Sequence, residues 1–223
     1  MKKSILLVTL TLMLLAMINP ATKKKVIFFG DSITQAGVEK GGYINVIGDL
    51  LQKKGKADAY ELIGAGIGGN KVYDLYLRLE DDVLNKKPDI VFIYIGVNDV
   101  WHKSLLHTGT DLDKFSRFYT ALIKKIKGAG AKVVLVTPAV IGEKKSGENE
   151  QDKDLDIYSD AIRKLAAENS LPLVDLRQQF TSYDAAHNAA NEKQGILTTD
   201  GVHLNATGNN LVAELMLAEM LKL

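Results

Sequence analysis

The chain has 223 residues, of which 46% are hydrophobic and 25% are charged. This size and composition are typical of one soluble globular domain. Lys and Arg number 28 against 27 Asp and Glu, so no excess of positive charge indicates binding to nucleic acid or to an anionic membrane. The chain has no cysteine, which excludes thiol catalysis, disulfide bonds and thiolate metal sites.

The N-terminal residues have the pattern of a targeting segment. Met1, Lys2 and Lys3 precede an apolar run over residues 5–18, and a basic start followed by a short apolar stretch is typical of a secretory signal peptide. The run is shorter than the ~20 residues that span a bilayer as a helix. We therefore predict a signal peptide over residues 1–21, a mature domain over residues 22–223, and a secreted or periplasmic location. An uncleaved anchor is the alternative.

From Lys25 onward, short apolar runs alternate with longer amphipathic stretches. Uninterrupted apolar runs are typical of parallel strands that helices cover on both faces, so the alternation predicts an α/β fold, a three-layer α/β/α sandwich. The predicted strands are 26–29, 60–63, 90–95, 133–136 and 173–174, and the predicted helices are 43–54, 71–86, 111–129, 152–169 and 206–222. We expect residues 142–154 to form a lid-like loop and residues 182–195 to contain a short helix at most.

Residues suited to catalysis follow the apolar runs or precede the last helix. Ligands of an open parallel sheet bind beyond the carboxyl ends of its strands, so these positions are the candidates for a site. The four segments are Gly30-Asp31-Ser32-Ile33, Gly66-Ile67-Gly68-Gly69-Asn70, Gly96-Val97-Asn98-Asp99 and Asp200-Gly201-Val202-His203.

Together these segments resemble the conserved blocks of the SGNH (GDSL) hydrolase family, in the same order and over nearly the whole mature chain. The resemblance implies a parallel sheet of about five strands in a flavodoxin-like order, and a serine carboxylic ester hydrolase that needs no metal or organic cofactor. It assigns Ser32 as nucleophile, His203 as base and Asp200 as the residue that orients the base. It places the oxyanion hole at Ser32, Gly69 and Asn98.

The same roles make chemical sense. A serine hydroxyl is a weak nucleophile until a neighbouring base takes its proton, and the ordinary pKa of histidine, ~6.5, suits that task. A carboxylate three residues before the histidine can hold the imidazole in one tautomer. Backbone N–H groups and an amide side chain can stabilise the oxyanion, and glycine at position 69 lets the backbone approach the substrate closely.

Other residues near the four segments have less specific interpretations. Trp101 follows Asn98 by three residues, and we expect it to border the substrate pocket, although a packing role fits nearly as well. His102 and His107 are expected to be partly exposed loop residues. His187 is expected to be solvated.

Three other functions fit parts of the sequence. Gly64-x-Gly66-x-x-Gly69 matches a dinucleotide-binding motif, but Asp81 and Asp82 precede the next strand, whereas that motif needs an acidic residue at the strand's end. Four ligands at Asp31, Asp99, Asp200 and His203 would suit a metal-dependent phosphoesterase, although no compact ligand motif supports it. A non-catalytic carbohydrate-binding protein is the third alternative.

The substrate is less well defined than the reaction. Aromatic residues are only 7% of the chain, and no exposed apolar helix indicates a broad groove for a fatty acyl chain. A small-molecule or glycan ester is therefore expected, with slight preference for a carbohydrate O-acetylesterase. A lysophospholipase or thioesterase acting on lipids is the alternative, and no membrane insertion is expected after cleavage of the signal.

Overall fold

The computed structural model describes residues 22–223, in which five parallel strands form one sheet. The signal peptide predicted for residues 1–21 lies outside the described residues. The strands are β1 (Lys24–Gly30), β2 (Tyr60–Gly66), β3 (Ile90–Tyr94), β4 (Lys132–Val136) and β5 (Leu173–Val174). Their spatial order is β2-β1-β3-β4-β5, which is the flavodoxin-like order. The predicted α/β fold and parallel sheet are confirmed.

Helices cover both faces of the sheet and bring its apolar residues out of contact with water. They are α1 (Ser32–Gly37), α2 (Tyr43–Lys53), α3 (Val72–Asp82), α4 (Val97–Leu105), α5 (Leu112–Gly128), α6 (Asp152–Asn169), α7 (Leu176–His187) and α8 (Ala206–Met220). Among residues 22–223, no helix combines the length and the apolar character needed to cross a membrane.

Alternate residues of the central strands face two separate cores. Val26 and Phe28 of β1 pack with residues of α2 and α8 on one face of the sheet. Ile27 and Phe29 pack with residues of α3, α5 and α6 on the opposite face. Successive strand residues point to opposite faces, so burial on both sides explains why β1 has no polar residue between Val26 and Phe29.

Three helices differ from the sequence prediction. Helices α1 and α4 occupy segments expected only to follow strands. Helix α7 was not predicted from residue 176, and it extends to His187 into the stretch 182–195, for which we expected a short helix at most. The side chains of Asp31 and Asp175 accept hydrogen bonds from backbone N–H groups in the first turns of α1 and α7. These caps stabilise helices that lack a long apolar stripe.

Arg78 on α3 joins the ends of the first two strands. Its Nη2 donates to the carbonyl oxygens of Gly30, at 2.7 Å, and Ala65, at 3.1 Å. Its Nε donates to Oδ1 of Asn70 at 2.8 Å, and Asp82 pairs with Nη1 at 2.6 Å. One guanidinium group therefore holds the segments that lead out of β1 and β2, where two of the four sequence motifs lie.

We expect Arg78→Met to lower the free energy of unfolding by about 3 kcal/mol, because shielded carbonyl oxygens lose a charged donor. Arg117→Met is the matched control, since the Arg117 side chain is 80% exposed and pairs with Asp113 at 3.7 Å. Thermal and urea denaturation of both variants measure the effect. Equal stability of the two variants would show that Arg78 does not hold the strand ends.

Candidate active site

Ser32, His203 and Asp200 form a continuous chain of hydrogen bonds beyond the carboxyl end of β1. Ser32 Oγ lies 3.0 Å from His203 Nε2. His203 Nδ1 lies 2.7 Å from Oδ2 of Asp200. The other carboxylate oxygen of Asp200 accepts the backbone N–H groups of Val202, at 2.9 Å, and His203, at 2.8 Å. This geometry allows the imidazole to take a proton from the serine hydroxyl.

Ser32 and His203 lie in different kinds of local structure, a helix N-terminus and an irregular segment. Ser32 is the first residue of α1, directly after Asp31, which caps that helix. His203 lies in an irregular segment before α8, where an isolated bridge pairs Thr198 with Leu204. The backbone N–H of Thr199 also donates to the carbonyl oxygen of His203 at 2.8 Å. The serine is therefore positioned by the sheet, and the histidine by a loop.

Gly69 and Asn98 lie on neighbouring segments that approach each other. The Asn98 side chain is 3% exposed, and its Nδ2 donates to the carbonyl oxygen of Asn70 at 3.1 Å. Gly69 has a φ of +75°, and a Cβ there would meet no atom closer than 3.9 Å. Glycine is therefore favoured at position 69 by its left-handed backbone conformation.

The acidic residues around the site have different pKa values because their surroundings differ. Burial raises the pKa of Asp31 to about 7, and the nearby Asp99 adds to the increase. Burial also raises the pKa of Asp99 to about 6. Partial burial acts the same way on Asp200, but hydrogen bonds from the ring and backbone of His203 outweigh it and hold its pKa below the usual value. Negative charge beside the imidazole is therefore favoured on Asp200.

The two buried carboxylates bond to backbone groups. Asp31 Oδ1 accepts the N–H of Ile33 at 3.0 Å, and both oxygens of Asp99 lie 3.3 Å from the N–H of Val72. In residues 22–223, no three His, Asp or Glu side chains come together in a group that could hold a metal ion. The four residues considered as metal ligands therefore do not form one cluster.

Trp101 borders the site, and His102 is not the loop residue that we expected. The ring centroids of Trp101 and His203 lie 6.3 Å apart in an edge-to-face arrangement. His102 is 8% exposed and lies four residues after Asn98 on α4, so the two share a helix face that points inward. Burial lowers the pKa of His102. The prediction of a partly exposed His102 was wrong because α4 was not predicted. His107 and His187 are exposed.

A cleft of about 630 Å³ opens beside Asp200 and Trp101. Its walls include charged and amide side chains from the segment before α6 and from the segment before Asp200. The polar members from these two segments are Lys144, Glu148, Asn149, Glu150, Gln151 and Lys193. This cleft is larger than a small acyl group requires, so it can accept the alcohol part of an ester.

Sequence reasoning missed the residues that hold these segments in place. Arg78 donates hydrogen bonds to Gly30 and Asn70, which belong to the first two motifs. Glu143 accepts hydrogen bonds from Leu197 and Thr198, which lie just before the fourth motif. Arg78 and Glu143 both lie outside the motifs, and a single charged residue in a helix or loop normally indicates solvent exposure. No signal in one sequence distinguishes them from surface charges.

Comparisons with known proteins agree with this geometry. The model of the GDSL-like Lipase/Acylhydrolase family matches residues 28–211. An acetylxylan esterase of Geobacillus stearothermophilus is 30% identical in an alignment of 220 positions that covers 88% of this chain and 94% of that protein. The crystal structure of the acetyl xylan esterase AlAXEase is 59% identical, with a TM-score of 0.86 over 87% of this chain and 98% of that one.

Structures of Axe2, an acetylxylan esterase from Geobacillus stearothermophilus, include three catalytic mutants in which a serine, a histidine or an aspartate is replaced by alanine. They are 27–28% identical to this chain, with a TM-score of 0.77 over 90% of this chain and 96% of theirs. The resemblance to SGNH (GDSL) hydrolases is therefore confirmed. The chain belongs to the GDSL-like Lipase/Acylhydrolase family and is a carboxylic ester hydrolase.

Proposed function

We propose that the chain is a secreted serine esterase that removes acetyl groups from carbohydrates. The hydrogen-bonded chain from Ser32 through His203 to Asp200 carries the chemical part of this proposal. The catalytic mutants of Axe2 change the same three residue types. Export is proposed from the basic and apolar pattern of residues 1–21 alone.

In the proposed reaction, the Ser32 hydroxyl attacks the ester carbonyl while His203 takes its proton. The tetrahedral intermediate collapses, the alcohol leaves with that proton, and an acyl-enzyme remains on Ser32. Water activated by His203 then attacks the acyl-enzyme, releases the acid and returns the proton to Ser32. Asp200 stabilises the imidazolium that forms in each half of the reaction.

The proposed oxyanion hole combines backbone and side-chain donors. The N–H groups of Ser32 and Gly69 and the side-chain amide of Asn98 would donate to the carbonyl oxygen as it gains negative charge. The Asn98 amide has two hydrogens, and the bond to the Asn70 carbonyl oxygen uses one of them. The other remains for the substrate, and the first one keeps the amide fixed before the reaction begins.

The residues that line the cleft beside Trp101 support the proposal of a carbohydrate substrate in preference to a lipid. A long acyl chain gains about 0.8 kcal/mol for each methylene that leaves water, but only where apolar walls receive it. The cleft walls mix apolar residues (Leu105, Ile141 and Val202) with polar ones. Lys144, Gln151 and Lys193 among the polar ones suit the hydroxyl groups of a glycan. We propose that Trp101 contacts the substrate at the entrance, and the names of the acetylxylan esterase relatives support the same substrate class.

Rates on p-nitrophenyl esters from acetate to palmitate test the proposed substrate. We expect kcat/KM to be highest for acetate and to fall with chain length, because charged and amide side chains interrupt the apolar part of the cleft walls. The enzyme should also release acetate from acetylated xylo-oligosaccharides. A preference for palmitate, or no release from the oligosaccharides, would favour a lipid acyl hydrolase.

Substitutions of the hydrogen-bonded chain test the proposed mechanism. Ser32→Ala should lower kcat by about 10⁴-fold or more with the fold retained, because no other group can form the acyl-enzyme. His203→Ala should be nearly as damaging, whereas Asp200→Asn should retain more activity since Asp200 acts through the histidine. Activity of Ser32→Ala above about one percent of the wild type, after contaminating esterases are excluded, would contradict the assignment.

Asn98→Ala should lower kcat by about 10²–10³-fold, the usual effect of removing one oxyanion donor, and change KM little. The reason is that the amide binds charge which exists only near the transition state. Asn98→Asp should be slower still, because a carboxylate repels that charge. Steady-state kinetics and melting temperature together give the answer: a folded Asn98→Ala protein with wild-type kcat removes Asn98 from the oxyanion hole.

A further inference from the structure

Asp200 and His203 lie in a segment that has little regular structure of its own. Residues 188–205 connect the end of α7 to α8, and the backbone pairing of residues 193–205 is limited to one isolated bridge and a few loop hydrogen bonds. Catalysis by His203 requires a reproducible distance to Ser32, and a misplacement of ~1 Å can cost a 10²-fold decrease in rate. Something outside the segment must therefore hold it.

The Glu143 side chain, which lies outside this segment, accepts three of its backbone N–H groups. Its Oε1 accepts the backbone N–H groups of Leu197, at 2.6 Å, and Thr198, at 2.7 Å. Its Oε2 accepts the N–H of Ile196 at 2.8 Å. The residue is 0% exposed, so water does not compete for these three donors, and a carboxylate, which only accepts, matches them.

Contacts of the neighbouring backbone extend this attachment as far as Asp200. The N–H of Glu143 donates to the carbonyl oxygen of Lys193 at 2.9 Å, and the N–H of Gly142 donates to that of Gly201 at 2.8 Å. A Cβ on Gly201 would lie 3.4 Å from the backbone of Gly142, so the two segments are packed against each other. The Thr198 hydroxyl also accepts the N–H of Gly201 at 2.9 Å.

We infer that Glu143 is a positioning residue, which holds residues 196–201 and, through them, Asp200 and His203 in the geometry that the reaction needs. The inference rests on the proposed function, because it assumes that Asp200 and His203 are catalytic. It assigns a role to the start of the segment 142–154, which we expected to be a lid-like loop. Its first two residues are part of the support of the active site.

A second buried acidic residue, Asp184, has surroundings that differ from those of Glu143. Asp184 on α7 lies nearby, and burial together with the Glu143 charge raises the pKa of Asp184 to about 7, while Arg177 and His187 oppose the increase. Arg177 is itself occupied by Asp152, at 2.8 Å, and Asp156, at 2.6 Å. The two buried carboxyl groups thus differ: Glu143 binds the catalytic segment, and no recorded hydrogen bond joins the Asp184 side chain to it.

Glu143→Gln, with Asp184→Asn as the matched control, tests the inference. In Glu143→Gln the new amide NH₂ replaces an acceptor and must face at least one backbone N–H. We expect kcat on p-nitrophenyl acetate to fall about 10–100-fold, with KM within about twofold of the wild type. The low-field proton resonance of the His203–Asp200 hydrogen bond should shift or broaden. Asp184→Asn, which also replaces a buried carboxylate, should leave kcat and that resonance unchanged.

Glu143→Asp keeps the charge but shortens the side chain by one methylene, so it tests the inference if Glu143→Gln does not fold. We expect an intermediate kcat and a partial shift of the resonance. Either Glu143 variant, folded and with wild-type kcat and an unshifted resonance, would overturn the positioning role. Ser32→Ala measured in parallel separates the two proposals: if it stays active, the proposed mechanism fails, whereas the resonance still reports on Glu143.

Discussion

Backbone groups that are buried outside helices and strands need hydrogen-bond partners, and this requirement shapes the whole active site. At the ends of β1 and β2 the carbonyl oxygens of Gly30 and Ala65 accept hydrogen bonds from the Arg78 guanidinium. In the segment before Asp200 the backbone groups are N–H groups, and the acceptor is the Glu143 carboxylate. Two charged side chains thus hold the two halves of the site.

Burial also separates the charges within the site. The pKa of Asp31 is raised to about 7 and that of Asp99 to about 6, so ionising either group costs free energy in the folded protein. The pKa of Asp200 is shifted in the opposite direction by the hydrogen bonds of His203. The carboxylate that is easiest to ionise is therefore the one that bonds to the imidazole. Asp31 and Asp99 remain close to the site as hydrogen-bonding groups for the backbone.

The sequence predicted the sheet well because its signal is local. Runs such as 90–95 are apolar throughout, which only strands buried on both faces require, and three of the four motifs follow those runs. The helices α1 and α4 were missed because the first is only six residues long and both begin inside motifs that were analysed for chemistry. His102 is buried because it lies on α4, so the wrong prediction of an exposed His102 followed from missing this helix.

The supporting residues could not be predicted for a different reason. Glu143 contacts residues that lie more than 50 positions later in the chain, and its sequence neighbours Lys144 and Lys145 are exposed. The local pattern around it is that of a solvated loop. Only the close packing of Gly142 against Gly201 brings the carboxylate to its three donors, and this packing is a property of the assembled fold.

The central claim is that Ser32 is an activated nucleophile, and covalent labelling tests it most directly. An organophosphonate that carries a p-nitrophenolate leaving group should add one phosphonyl group per chain, which mass spectrometry of the peptides should locate on Ser32. His203→Ala should slow this labelling strongly because the hydroxyl loses its base. An adduct on another residue, or no adduct under conditions in which the wild type hydrolyses p-nitrophenyl acetate, would contradict the account.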